Sequence, residues 1–192
     1  MTIAGPGPGD SMPRLDLRSP DLLMVGGTVV DGTGRPGRRA DVAISGDRIA
    51  AVGSIARSSA KRVLDVSNMA IAPGFIDAHG HSDIAVLSSP HLPSKVHQGI
   101  TTEVMGNCGL AVAPLGAHTD ADAVRSLLSI VDVDPGVAWR WRSMAEYLST
   151  VESQSAAINV AVLAGHLAIR ASCVGFDDRA ATPTEIGDMQ SM

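Results

Sequence analysis

A chain of 192 residues, 45% of them apolar and 18% charged, is long enough to bury a core and too apolar to remain unfolded. Its net charge of −5, with Lys and Arg scattered and not gathered in a stripe, argues against nucleic acid and anionic membranes as partners and in favour of small molecules. No window of eighteen apolar residues offers a membrane span, and two cysteines far apart in sequence offer no disulfide framework, which suits a reducing cytoplasm.

Residues 1–20 hold Gly5-Pro6-Gly7-Pro8-Gly9 and no continuous apolar run, so they read as a flexible tail and not as a secretory leader. From Asp21 to Ala72 the apolar runs are short and punctuated. Leu22–Val25 precedes Gly26-Gly27, Thr28–Val30 runs into Asp31-Gly32, Val42–Ser45 into Gly46-Asp47, and Arg48–Val52 stops at Gly53. Gly-Gly, Asp-Gly and Gly-Asp between β-branched runs predict hairpins, so residues 21–72 read as a small antiparallel β unit of four to six strands. Asp41, Ser45, Asp47 and Arg48 fall on its solvated edge.

From residue 73 the pattern becomes α/β. Phe75–Ala78 predicts a buried strand behind Pro73-Gly74, closed by His79 and His81. On a strand Phe75, Asp77, His79 and His81 share one face, with the imidazoles about 7 Å apart. Such a face suits a cation or a polar cavity better than a core; the ordinary alternative is a solvated His-X-His in a loop. Ser94–Gln98 reads as a short helix, and Thr101–Met105 as a second strand ending in Gly106-Asn107-Cys108-Gly109. Asp120 caps a helix with apolar residues at Ala123, Val124, Leu127, Leu128 and Val131. Ser143-Met-Ala-Glu146 forms a capping box for a helix to about Glu152. Ile158–Ala164 is a third strand ending in Gly165-His166, and Thr182-Pro183-Thr184-Glu185 opens a last helix.

Strands alternating with helices predict a parallel sheet. A (β/α)8 barrel needs roughly 250 residues, and residues 73–192 suffice for three βα units. If that sheet belongs to such a barrel, the fold is the truncated N-terminal part of a TIM-like barrel, preceded by the β unit. In a barrel the C-terminal strand ends share one mouth, which would gather His79 and His81, Cys108 and His166. Cys108 reads either as a thiolate ligand for zinc or as a buried free cysteine. Asp77 would orient an imidazole or serve as a structural carboxylate. Asp83 and Asn107 flank the candidate ligands, and His166 would line a substrate pocket or support a loop. His91, His97 and His118 read as solvated, Cys173 as core, and Trp139 and Trp141 as anchors of a loop on the core.

Ala72-Pro-Gly-Phe-Ile-Asp-Ala-His-Gly-His-Ser-Asp83 resembles the first metal motif of the amidohydrolase superfamily. Gly99-Ile-Thr-Thr-Glu-Val-Met-Gly-Asn-Cys-Gly109 and Asn159-Val-Ala-Val-Leu-Ala-Gly-His166 resemble its N-acyl-D-amino-acid deacylase (D-aminoacylase) branch, and the resemblance runs from about Asp21 to Met192. It implies a (β/α)8 metal-dependent hydrolase with a flanking β-sandwich, zinc (one or two ions) held by His79, His81 and Cys108, and hydrolysis of the amide of an N-acyl-D-amino acid. It also implies that the acid/base Asp and two further ligand histidines belong to later strands, so that none of the chain's own residues is the acid/base and the fragment is inactive alone. Leu110 departs from the family, where an aromatic residue is common, which bears on substrate preference and not on metal chemistry. One alternative is a cyclic amidase of the dihydroorotase or hydantoinase type. Those enzymes commonly bridge two metals with a carboxylated lysine, yet here no lysine ends a predicted strand and Cys108 does. The other is a non-catalytic remnant that needs a partner chain to supply the rest of the barrel.

Overall fold

The computed structural model describes residues 19–57, 60–116 and 119–192. The tail expected over residues 1–20 lies, but for its last two residues, outside the described residues, as does His118. The chain divides into two compact units between Pro73 and Gly74.

In the first unit the described strands are β1 (Leu22–Val25), β2 (Thr28–Val29), β3 (Arg38–Arg39), β4 (Asp41–Ser45), β5 (Arg48–Gly53), β6 (Val63–Asp65) and β7 (Ala70–Ile71). They form two sheets, ordered β5-β4-β1-β6 and β3-β2-β7. This exceeds the expected strand count, and the sheets are not purely antiparallel, because β6 joins β1 and β7 joins β2 in parallel. Gly46-Asp47 turns the β4–β5 hairpin. Gly26-Gly27 does not turn one: β1 pairs with β4 and β2 with β3, so the glycine pair carries the chain from one sheet to the other. The reason is local. Gly26 sits at φ 77°, and its N–H goes to Asp41 Oδ1 at 3.0 Å and not to a ladder partner. Asp41 Oδ2 accepts from Ile55 N–H at 3.1 Å, so this carboxylate is a structural tie and not a solvated edge. Leu23, Val25 and Ala43 form the buried centre.

The second unit is mixed α/β. Its parallel sheet has the order β10-β9-β8, from β8 (Phe75–Asp77), β9 (Ile100–Met105) and β10 (Asn159–Val162). Around it stand α1 (Ala85–Ser88), α2 (Pro93–Val96), α3 (Ala121–Leu128), α4 (Met144–Ser153), α5 (His166–Cys173) and α6 (Pro183–Ser191). Asp120 caps α3 by accepting from two backbone N–H groups, and complete capping boxes open α4 at Ser143 and α6 at Thr182.

Two helices depart from the sequence reading. Helix α1 follows the histidine motif directly, and α5 begins at His166, so the third strand stops at Val162 and His166 opens a helix instead of closing a strand. The apolar run 167–173 reads equally as strand or helix by periodicity; burial of Ala168 and Ala171, three residues apart, reveals the helix. Cys173, expected in the core, is only half-buried, with its Sγ 3.5 Å from Met192 Sδ.

Met105, Val160 and Val162 on one face of the sheet pack into a core with Val86, Val124, Leu128, Trp141 and Tyr147. Trp141 donates to the Val112 carbonyl at 2.8 Å, and Trp139 stacks on it with centroids 5.4 Å apart, which fixes the loop before α4. The opposite face presents Ile76 and Ala161 to solvent.

Candidate metal centre

Strand β8 ends at Asp77 for a reason visible in its side chain. Asp77 Oδ1 accepts from the backbone N–H of His79 at 3.2 Å, a local Asp-to-backbone turn that lifts the chain off the sheet. His79 and His81 therefore lie in the loop beyond the strand and not on its face, and their ring centroids approach to 5.5 Å at an interplanar angle of 67°. The loop returns to the sheet through Gly80 N–H, which donates to the Val104 carbonyl at 2.9 Å. Gly80 is buried, and a β-carbon there would overlap the carboxylate of Glu103.

Strand β9 leads into the partner turn. Gly106 at φ 75° and Cys108 at φ 57° both adopt left-handed backbone, and residues Asn107–Gly109 make a single 3-10 turn. This turn points the Cys108 thiol back at the histidines, with Sγ 3.2 Å from His79 Nε2. Donor atoms of His79, His81 and Cys108 all lie within 4.8 Å of one another. Ligands of a tetrahedral zinc ion stand roughly 3.3–3.6 Å apart, given bonds of about 2.0–2.3 Å. The His79–Cys108 pair stands at about that spacing, and the full set, within 4.8 Å, is close enough for small side-chain rotations to bring two imidazoles and a thiol onto one ion. His81 Nδ1 is buried with no hydrogen-bond partner among the described residues, which also fits a group that needs a cation.

The flanking residues take distinct positions. Asn107 Nδ2 donates to the carbonyls of Gly80 at 3.2 Å and Val104 at 2.8 Å, fastening the cysteine turn to the histidine loop. Asp83 is not a member of the donor cluster: Oδ2 accepts from Gly106 N–H at 3.3 Å, and its backbone carbonyl accepts from the Tyr147 hydroxyl at 2.7 Å. Burial pushes the Asp83 carboxyl up to about 7; the Gly106 N–H opposes the shift, and the nearby charges of Asp132 and Glu103 reinforce it. Asp132 accepts from the N–H groups of Ile84 and Ala85, holding the start of α1. His166 stands beside Gly109 but is exposed and outside the donor cluster. His91 and His97 are exposed.

Asp77 looks to the helix side of the sheet. Its Oδ2 receives Lys95 Nζ at 2.6 Å, and the same ammonium lies 3.1 Å from Oε1 of Glu103, which is completely buried. The Lys95 and His79 hydrogen bonds hold the Asp77 carboxyl below its ordinary range. Burial works against the Lys95 ammonium, but its bonds to Asp77 and Glu103 outweigh burial and raise its pKa. Neither Glu103 nor Lys95 was singled out in the sequence. The available signal was a carboxylate in the middle of a β-branched strand, which is buried only with a partner.

Residues 62–190 match the amidohydrolase family. The chain is 42% identical over 181 residues to a D-aminoacylase of Alcaligenes xylosoxydans xylosoxydans, covering 94% of this chain and 36% of that protein. A solved D-aminoacylase, described with a binuclear metal centre, superposes with a TM-score of 0.79 at 43% identity, over 89% of this chain and 35% of that one. The N-acyl-D-glutamate deacylase of Bordetella bronchiseptica, solved with zinc and a phosphonate inhibitor, superposes with a TM-score of 0.78 at 36% identity, over 91% of this chain and 35% of that one. The chain thus spans about a third of the length of the relatives it matches. Among the described residues no helix is long and apolar enough to cross a membrane.

Proposed function

The chain belongs to the amidohydrolase family, and from that premise we propose that it contributes the first metal ligands of a zinc-dependent enzyme hydrolysing the amide of N-acyl-D-amino acids. The observation that carries this reading is the meeting of His79, His81 and Cys108 within 4.8 Å. These three residues would hold zinc, as one or two ions. When bound, zinc supplies Lewis acidity that polarises a carbonyl and brings the pKa of a water toward about 7.

The chain's own residues prepare that site. His79 and His81 bind as neutral imidazoles and Cys108 as a thiolate, so the set brings one negative charge to the dication. The Asp77 turn fixes where His79 leaves the sheet, and Asn107 holds the distance between the two loops. We take the three parallel strands as the opening of a (β/α)8 barrel whose C-terminal strand ends form the site, with residues 21–72 as a flanking β-sandwich. The remaining strands, two more histidines and the Asp that moves the proton from water to the leaving amine belong, in this reading, to the part of the relatives' length outside these 192 residues. A chain carrying that part would be the partner that completes the enzyme. Cys108 and Cys173 are both free thiols, in keeping with a cytoplasmic setting.

The lysines favour the cysteine branch over a cyclic amidase. The chain has two, Lys61 and Lys95. Both lysines are engaged in ion pairs, Lys61 with Asp21 at 2.7 Å and Lys95 with Asp77 and Glu103, whereas Cys108 stands with the two histidines in the donor cluster.

Metal analysis of the purified chain after dialysis against zinc, with Cys108→Ala alongside, tests the reading. Bound zinc that is lost in the variant is expected; unchanged zinc content would refute it. Turnover of an N-acyl-D-amino acid by the 192-residue chain alone would refute the placement of the proton-transfer group outside it.

A further inference from the structure

We infer that Glu103 and Lys95, acting with Asp77 and Ser82, are positioning residues that set where the two histidines stand. This rests on the reading of His79, His81 and Cys108 as metal ligands.

Asp77 and Glu103 are in register on neighbouring parallel strands and so project from the same face of the sheet. Two carboxylates side by side repel unless a cation lies between them, and Lys95 Nζ reaches both, at 2.6 and 3.1 Å. Each carboxylate also grips the histidine loop. Asp77 Oδ1 receives the N–H of His79, and Glu103 Oε1 receives the Ser82 hydroxyl at 2.9 Å. Gly80 lies against the Glu103 carboxylate, where a side chain at position 80 would not fit. The residues on either side of His79 and His81 are thus held by two carboxylates that one ammonium keeps together.

A buried ion pair is a poor source of net stability, because desolvation consumes most of the attraction. Lys95 and Glu103 therefore make more sense as a device for geometry. The network carries one positive and two negative charges, and the negative excess beside the imidazoles favours a cation there. Among the described residues neither makes a hydrogen bond or ion pair with His79, His81 or Cys108, so both act through the loop.

The test is zinc affinity of the 192-residue chain, measured by competition with a chromophoric chelator, for wild type, Glu103→Gln, Lys95→Met, Lys95→Arg and Ser82→Ala. Glu103→Gln and Lys95→Met should weaken zinc about 10- to 100-fold, the range for losing outer partners of metal ligands. Lys95→Arg, which keeps the charge, should recover part of that loss. The absorption bands of the cobalt(II)-loaded chain should shift in the first two variants, which a change in stability alone would not cause. Circular dichroism of the metal-free chains reports whether each variant folds. Should Lys95→Met or Glu103→Gln not fold, Ser82→Ala, which removes one hydroxyl and leaves the ion pair, carries the test with an expected loss of about 10-fold. Unchanged zinc affinity and cobalt spectrum in the folded variants would overturn the inference. Failure of the wild-type chain to bind zinc through Cys108 would instead overturn the metal reading beneath it.

Discussion

The side-chain amide of Asn107 donates to the carbonyl of Gly80 at 3.2 Å, tying the turn that carries Cys108 to the loop that carries both histidines. A second bond from the same NH2, to Val104, anchors the pair to the end of β9. Asn107→Ala removes both ties and should weaken zinc binding about 10- to 100-fold. Asn107→Asp should do worse, because an ionised carboxylate would face two carbonyl oxygens with nothing to donate. Chelator competition on both variants checks the order; equal affinity for wild type and Asn107→Asp would contradict it.

Glycines 106 and 46 separate backbone conformation from crowding. Both have positive φ, at 75° and 58°. A β-carbon at Gly106 would overlap the Leu163 carbonyl, whereas one at Gly46 would meet nothing within 4 Å. Gly46→Ala should cost about 1 kcal/mol, the penalty of left-handed backbone alone. Gly106→Ala should cost more than about 2 kcal/mol, with the clash added. Urea unfolding of the two variants reads the difference.

The last helix carries a pH dependence. Hydrogen bonds from Arg179, and from the backbone and hydroxyl of Thr182, pull the Glu185 carboxyl from 4.5 down to about 2. A carboxyl whose folded pKa is depressed stabilises the fold fully above its unfolded value and loses that contribution as pH falls through the folded one. The contribution of Glu185 to α6 should therefore be complete above about pH 4.5 and fade toward about pH 2. A carbon-13 titration of the Glu185 carboxyl should give the low value, and Thr182→Ala should move it upward.

Strands β8 and β10 are the edges of the parallel sheet, and Ile76 on its open face is 67% exposed. Unpaired parallel edges with apolar side chains beside them invite association. Light scattering of the isolated chain should show concentration-dependent growth, reduced by Ile76→Thr. A monodisperse monomer at high concentration would contradict this.

What the sequence determined by itself was set by short-range physics. Asp120, Ser143 and Thr182 announce their helices because a cap is a bond between residues two or three apart. The three parallel strands show as short apolar or β-branched runs, and His79, His81 and Cys108 stand out as donors because imidazole and thiol are chemically distinctive wherever they occur. Tertiary structure decided everything that depends on distant partners. The first strand ends at Asp77, before the histidines, because its carboxylate turns back on His79 and is held there by Lys95. Asp83 accepts from Gly106, and Asp41 crosses to Gly26 and Ile55. Glu103 is buried only because Lys95 and Ser82 reach it. A charge's cost or benefit in a folded chain is fixed by what lies against it, and residues far apart in sequence meet only when the sheet brings them together.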